Sequence, residues 1–125
     1  MSDLIQKIHH CSLVVADTNK SLAFYCGVLG LAQEKNRPDL GYEGAWLMVG
    51  LQQIHLLQLP STHTVVEGLH GGRDYHVAFH VTDLDQLRQK IEAISLPYTE
   101  SKSGRKALFC RDPDGNALEF IQIST

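Results

Sequence analysis

Polar and apolar side chains alternate from Ile8 to Val15, the period of a half-buried strand. His10, Ser12 and Val14 fall on one face of it, and Cys11, Leu13 and Val15 on the other. Asp17 then stands as a helix N-cap. Leu22, Tyr25, Val28 and Leu29 recur near helical spacing, so a helix is predicted over about residues 18–29, stopped by Gly27 and Gly30. After a polar loop at 37–44, two apolar runs at 45–49 and 53–59 read as strands joined at 50–52. The stretch 60–75 holds Gly68, Gly71 and Gly72 and has no period, so it reads as a connector.

The pattern then restarts. Residues 76–81 alternate as a strand, Asp83 is a second N-cap, and Gln86 three residues later completes a possible capping box. Leu84, Leu87, Ile91 and Ile94 form the apolar stripe of a helix that ends near Ser95, and Pro97 prevents its continuation. A basic loop follows at 102–106. The last segment is a hairpin, with a strand at 107–110, the turn Asp112-Pro113-Asp114-Gly115, and a strand at 117–123.

Each half therefore reads strand, helix, then two or three strands. His10 to His76 and Asp17 to Asp83 are both 66 residues apart, and His55 to Glu119 is 64, so one two-residue difference in a loop relates the halves. The predicted fold is α+β: two βαβββ modules whose curved mixed sheets surround a metal-containing cavity. The chain is a single domain, 1–125, with module 1 at about 5–60, a connector at 61–75 and module 2 at about 76–125.

Glu119 is the residue that breaks the apolar pattern. It shares a strand face with Ala117, Ile121 and Ile123, where a carboxylate is costly unless paired, hydrogen-bonded or bound to a metal. The plain alternative is an edge strand with Glu119 in water. The repeat weighs against that alternative, because it puts His10 and His76 on the first strands and His55 and Glu119 on the last strands of the halves. If first and last strands are neighbours, the members of each pair converge. Three imidazoles and a carboxylate suit a divalent transition ion such as Ni²⁺, Zn²⁺, Fe²⁺, Co²⁺ or Mn²⁺. The set has no thiolate, which argues against a structural zinc site of the Cys-rich type. His80 shares the face of His76 and is a candidate substrate contact, with an ordinary packed histidine as the rival reading. His9 points to the opposite face and is structural; His63 and His70 belong to the connector; Trp46 and Tyr75 read as core.

Composition adds exclusions. A net charge of −3 gives no case for nucleic acid or an anionic membrane as partner. No apolar run reaches the roughly 20 residues a bilayer span needs, and the first residues lack the apolar core of a secretory signal. The three cysteines Cys11, Cys26 and Cys110 have no paired spacing, which suits free thiols in a reducing cytoplasm.

The opening His10-Cys11-Ser12-Leu13-Val14-Val15-Ala16-Asp17, with Ser21-Leu22-Ala23-Phe24-Tyr25 and Val28-Leu29-Gly30-Leu31, resembles that of the vicinal-oxygen-chelate superfamily. Asp112-Pro113-Asp114-Gly115-Asn116-Ala117-Leu118-Glu119 resembles its closing signature. This superfamily includes glyoxalase I, fosfomycin-resistance and bleomycin-resistance proteins, and extradiol dioxygenases. The segments 53–56 and 101–105 are similar to glyoxalase-like proteins of plants and cyanobacteria. The resemblance implies metal ligation by His10, His55, His76 and Glu119, with His55 at a position where bacterial glyoxalase I normally carries Glu. It also implies a lyase or isomerase of glyoxalase type that works through an enediolate on a small α-hydroxycarbonyl or thiol-adduct substrate. Glu119 would be the catalytic base in that reaction. Ser12, His80, Arg37, Arg73 and Arg105 are the candidate substrate contacts.

Val14 and Leu59 stand where glyoxalase I carries an Arg and an Asn that hold glutathione. The alternatives are an extradiol-type dioxygenase, a fosfomycin-type thiol transferase and a metal-free drug-binding protein. His10, His76 and Glu119 alone would make the two-His-one-carboxylate triad of an Fe²⁺ dioxygenase, but His55 takes a position that catechol and dioxygen need. A metal-free binding module would not need four ligand-type residues. Because superfamily members commonly pair modules between chains, the expected assembly is a homodimer.

Overall fold

The computed structural model describes residues 4–123. The chain divides into two compact units, Met1–Ser61 and Thr62–Thr125. Among the described residues no helix is long and apolar enough to cross a membrane.

The first unit is a four-stranded mixed sheet in the order β1-β4-β3-β2. The strands are β1 (His10–Val15), β2 (Ala32–Glu34), β3 (Gly44–Val49) and β4 (Gln52–Gln58). β1 and β4 pair in parallel, so the first and last strands are neighbours, while β3 pairs antiparallel with both β4 and β2. The Asp17 carboxylate accepts from the Asn19 and Lys20 amides and opens helix α1 (Thr18–Leu22). The predicted helix is not α throughout. From Ala23 to Val28 it widens to a π-helix, with the Leu29 amide donating to the Phe24 carbonyl. Phe24 and Tyr25, both buried, lie on this wider turn. Val15, Ala45, Leu47, Ile54 and Leu56 form the rest of this core.

The second unit repeats the plan in the order β5-β8-β7-β6. Here the strands are β5 (His76–Val81), β6 (Tyr98–Glu100), β7 (Ala107–Arg111) and β8 (Ala117–Gln122). β5 and β8 are parallel; β7 and β8 are the predicted antiparallel hairpin. Glu119 therefore lies on an inner strand, with neighbours on both sides. Helix α2 (Leu84–Ala93) begins where the Asp83 carboxylate accepts from the Gln86 amide. Its Leu84, Leu87 and Ile91 are buried, each contributing roughly 1.5–3 kcal/mol.

The repeat extends to a contact that hydropathy does not reveal. The side-chain oxygen of Gln58, at the end of β4, accepts from the Thr18 amide at 2.8 Å. That of Gln122, at the end of β8, accepts from the Leu84 amide at 3.0 Å. In each unit a glutamine on the last strand thus satisfies an otherwise unpaired amide in the first helical turn. The three-residue edge strands β2 and β6 are too short to show a period in the sequence.

The connector belongs to the second unit and lies against its sheet. It forms a single 3-10 turn at Gly71–Arg73. A Cβ on Gly71 would stand 3.1 Å from the Phe109 ring, and one on Gly115 would stand 2.8 Å from Val65. Glycine at these two positions is what allows the close approach.

Candidate metal centre

The hairpin turn sets the register that positions Glu119. The Asp112 side chain is buried and accepts from the Asp114 amide, the Asn116 amide and Asn116 Nδ2 at 2.8–2.9 Å. With the turn held, Phe109 pairs with Glu119, and Glu119 pairs with Ala78 across β5. Glu119 shares a face with Phe109, Ala78 and His76 and is only 2 % exposed. Its charge is compensated within the unit. Oε1 lies 3.3 Å from His76 Nε2, and Oε2 lies 3.4 Å from the Arg105 guanidinium. Arg105 is itself 59 % exposed, so water weakens that second pair.

His76 is held from its other side. Its Nδ1 is 2.9 Å from the Asp74 carbonyl oxygen, which can only accept, so Nδ1 carries a proton. In the neutral ring Nε2 then has the lone pair, and that lone pair faces a carboxylate oxygen. A divalent cation between the two would be bonded by both. Two ligands at right angles on one ion, each about 2.0–2.2 Å from it, stand roughly 3 Å apart, close to what His76 and Glu119 show. A cavity of about 280 Å³ opens here, lined by His70, Arg73, Lys102 and Arg105 as well as by His76 and Glu119.

In the first unit β4 brings His55 opposite Ser12 on β1. The His10 ring stacks on His55 with centroids 3.9 Å apart and planes 15° from parallel. Trp46 stacks on the opposite side of His55 at 4.4 Å. His55 Nε2 lies 2.8 Å from the Gln53 side-chain oxygen, which leaves Nδ1 with the lone pair. Burial, with neighbouring His10, His9 and Arg37 charges, lowers the His55 pKa and favours the neutral ring that a metal ligand needs. Lone pairs lie in the ring planes, so two nearly parallel rings do not aim at one point. His10 is exposed and its ring must turn out of the stack before both can hold the same ion.

By residue type three imidazoles and a carboxylate suit a divalent ion; within the second unit His76 and Glu119 stand as close as two ligands of one ion would, and within the first the stacked His10 and His55 rings do not. Among the described residues, neither unit gathers three or more His, Cys, Asp or Glu side chains into a metal-binding group.

The family model for the Glyoxalase/Bleomycin resistance protein/Dioxygenase superfamily matches residues 7–120. The chain belongs to this superfamily. A protein of Synechocystis described as "Probable lactoylglutathione lyase" is 30 % identical over 93 % of the chain and 95 % of its own length. Glyoxylase I 4 of Arabidopsis thaliana is 27 % identical over 97 % of the chain and 73 % of its own length. The metallothiol transferase FosB of Lysinibacillus sphaericus is 24 % identical over 93 % of the chain and 82 % of its own length. Among solved structures, a glyoxalase family protein from Bacillus anthracis superposes with a TM-score of 0.82 at 22 % identity, covering 99 % of this chain and 100 % of the other. FosX of Listeria monocytogenes, in a complex with Mn(II) and a dihydroxypropylphosphonic acid, superposes at 0.76 and 17 % identity, covering 97 % and 95 %.

The remaining candidates of this glyoxalase-superfamily chain are distributed unevenly. Arg73 and Arg105 line the cavity beside Glu119. His80 is exposed on the face of His76, opposite Ile121. Ser12 is exposed on the face of His10 and His55. Arg37 donates to the Tyr42 carbonyl at 2.9 Å and lies over the Tyr42 ring, so it is engaged with its own loop. Three expectations need correcting. Tyr75 is not core, because it stands just before β5 and is 87 % exposed. His9 does not act apart from His10, because their Nδ1 atoms are 2.8 Å apart. Trp46 is more than core filling, since it is half-buried and forms one side of the histidine stack. Lys102, part of the basic loop 102–106, lines the same cavity, whereas the hydropathy pattern gives no sign of Asp74 and Gln53 at the site. A polar residue two positions before each of the candidate ligands His76 and His55 is the signal for those two.

Proposed function

We propose that this chain is a metal-dependent lyase or isomerase of the glyoxalase type, acting on a small substrate with two neighbouring oxygens and an anionic end. The observation that supports this most is Glu119: a buried carboxylate on an inner strand, facing a histidine lone pair in an open cavity. His10, His55, His76 and Glu119 would hold the ion. When bound, a divalent ion supplies Lewis acidity to a pair of adjacent substrate oxygens.

The chain's own residues supply the rest. Glu119 is the only carboxylate of the set, so it takes the proton from the substrate carbon and returns it to the neighbouring one. His76, fixed through Nδ1, keeps its other nitrogen beside the Glu119 carboxylate. Arg73, Lys102 and Arg105 bring positive charge to the same cavity and would hold the anionic end. The half-sites lie in different units, and the pairing proposed is His10 and His55 of one subunit with His76 and Glu119 of the other, in a homodimer.

A thiol transferase of the fosfomycin type is the second reading, favoured by the three cationic side chains around the cavity. The test is metal analysis of protein purified without added metal, followed by assays with Ni²⁺, Zn²⁺, Co²⁺ and Mn²⁺ separately. Proton exchange at the carbon next to a substrate carbonyl, dependent on both metal and Glu119, is the expected result. Epoxide opening by a thiol without such exchange would select the second reading. No bound divalent ion under any of these conditions would overturn both.

A further inference from the structure

Arg111 is engaged on three sides. One terminal nitrogen donates to Asp74 Oδ2 at 2.8 Å and to the Gly115 carbonyl at 2.7 Å; the other donates to the Leu69 carbonyl at 2.9 Å. These bonds join two stretches of the connector to the hairpin turn. The Asp74 side chain is 10 % exposed, so this ion pair is more sheltered from water than those on α2. Asp74 is also bound locally, its Oδ1 accepting from the Tyr75 amide at 2.8 Å. Its backbone carbonyl is the group that holds the proton on His76 Nδ1.

We propose that Arg111 and Asp74 are positioning residues for His76: the guanidinium clamps Asp74 so that its carbonyl selects the His76 tautomer with Nε2 free toward Glu119. The inference rests on the metal-site reading above for its purpose, but its structural content can be measured without metal. A histidine ligand works through one nitrogen only if the other is held by an acceptor. Here the acceptor is a backbone oxygen at the end of a long connector, and such a segment keeps one geometry only where it is tied down. The ties between connector and sheet include Arg111, the His70 ring on Thr99 Oγ1 at 2.7 Å, the packing of Gly71 on Phe109, and that of Val65 on Gly115. Of these, Arg111 bonds directly to Asp74; the half-exposed His63 ring, within the connector itself, lies 3.6 Å from the other carboxylate oxygen.

The experiment compares wild type, Arg111→Gln and Asp74→Asn. Arg88→Gln serves as a control, because it removes exposed ion pairs of α2 with Asp85 and Glu100 that do not touch the site. Long-range proton–nitrogen correlation spectra of the metal-free proteins at mildly alkaline pH report the ring tautomers. Calorimetric titration with Zn²⁺ alone reports affinity. The expected result is a single Nδ1–H tautomer for His76 in wild type and in the control. In both test variants we expect a tautomer mixture and Zn²⁺ binding weaker by about 10–100-fold, the usual effect of losing an outer hydrogen-bond partner. A His76 tautomer and Zn²⁺ affinity unchanged in folded Arg111→Gln and Asp74→Asn would overturn the proposal, leaving Arg111 a purely structural clamp. If Arg111→Gln does not fold, Asp74→Asn decides alone, since it leaves Arg111 its bonds to Leu69 and Gly115. If wild type takes up no Zn²⁺, the metal reading fails and the tautomer spectra still decide the positioning role.

Discussion

His76 Nε2 and Glu119 Oε1 lie 3.3 Å apart, the histidine held from behind by a backbone carbonyl and the carboxylate buried in the sheet. The His10–His55 pair is built differently. Those rings stack face to face, and His10 is exposed. In the second unit the imidazole is thus fixed by a backbone carbonyl, and in the first the His10 ring is held by its stack on His55 and by His9.

Glu119→Gln keeps the side chain's size and one carbonyl-type oxygen while removing the charge and the base. Turnover should fall by about 10²–10⁴-fold, the usual worth of general acid–base catalysis, and metal content should fall less. Elemental analysis beside kcat measurement checks this. A variant that loses its metal entirely while a His10→Ala/His76→Ala double variant keeps full occupancy would contradict the assignment.

Val14 is half-buried on the face of His10, and Leu59 is exposed just beyond β4. Neither offers a hydrogen bond from its side chain. Each charge-assisted bond to glutathione that is missing should cost about 1.5–3 kcal/mol, roughly one to two orders of magnitude in rate. The methylglyoxal–glutathione hemithioacetal should accordingly be a poor substrate. A kcat/KM on the order of 10⁶ M⁻¹s⁻¹ or above, within the range of efficient enzymes, would show that other residues supply the glutathione contacts.

The proposed dimer makes a stoichiometric prediction. Light scattering at micromolar concentration should give twice the chain mass, with about one divalent ion per chain on the reasoning that four ligands share an ion. A monomer that binds metal at full occupancy would exclude a site shared between subunits.

Burial, with the Asp112 charge nearby, pushes the Cys110 thiol up to about 12. In the unfolded chain a thiol ionises near about 8.5. The folded state thus holds the proton more tightly. The corresponding stability is fully present below about pH 8.5 and is lost as pH rises toward the folded value, by up to about 1.4 kcal/mol per pH unit. Urea unfolding of wild type and Cys110→Ala at mildly and strongly alkaline pH should show the wild type losing stability faster. Parallel pH curves would refute the assignment.

Ser95 ends α2 with φ of 57°, the left-handed region that a side chain disfavours, and the Leu96 amide donates back to the Ile91 carbonyl. Ser95→Gly should relieve that strain and stabilise the protein by about 1 kcal/mol. A shift of the urea midpoint to higher concentration at unchanged slope is the expected reading.

Local pattern alone determined a good deal of this chain. Period-two alternation placed β1 and β5 and the faces of His10 and His76. Asp17 and Asp83 marked both helix starts, and Asp112-Pro113-Asp114-Gly115 marked the hairpin. These are effects between residues a few positions apart, where backbone sterics and side-chain caps act without tertiary help. The 66- and 64-residue offsets even indicated which strands are equivalent. Tertiary structure decided the rest. The helix after Leu22 widens to a π-helix, the Leu29 amide reaching back to the Phe24 carbonyl, a backbone change that no hydropathy period records. The edge strands β2 and β6 exist because β3 and β7 offer unpaired backbone groups to them, not because three residues have a preference of their own. Arg111 reaches Asp74 across 37 residues, and the carbonyl it steadies meets His76. A contact of that range leaves no trace in hydropathy, because its strength comes from exclusion of water and fixed geometry, which exist only once the chain has folded.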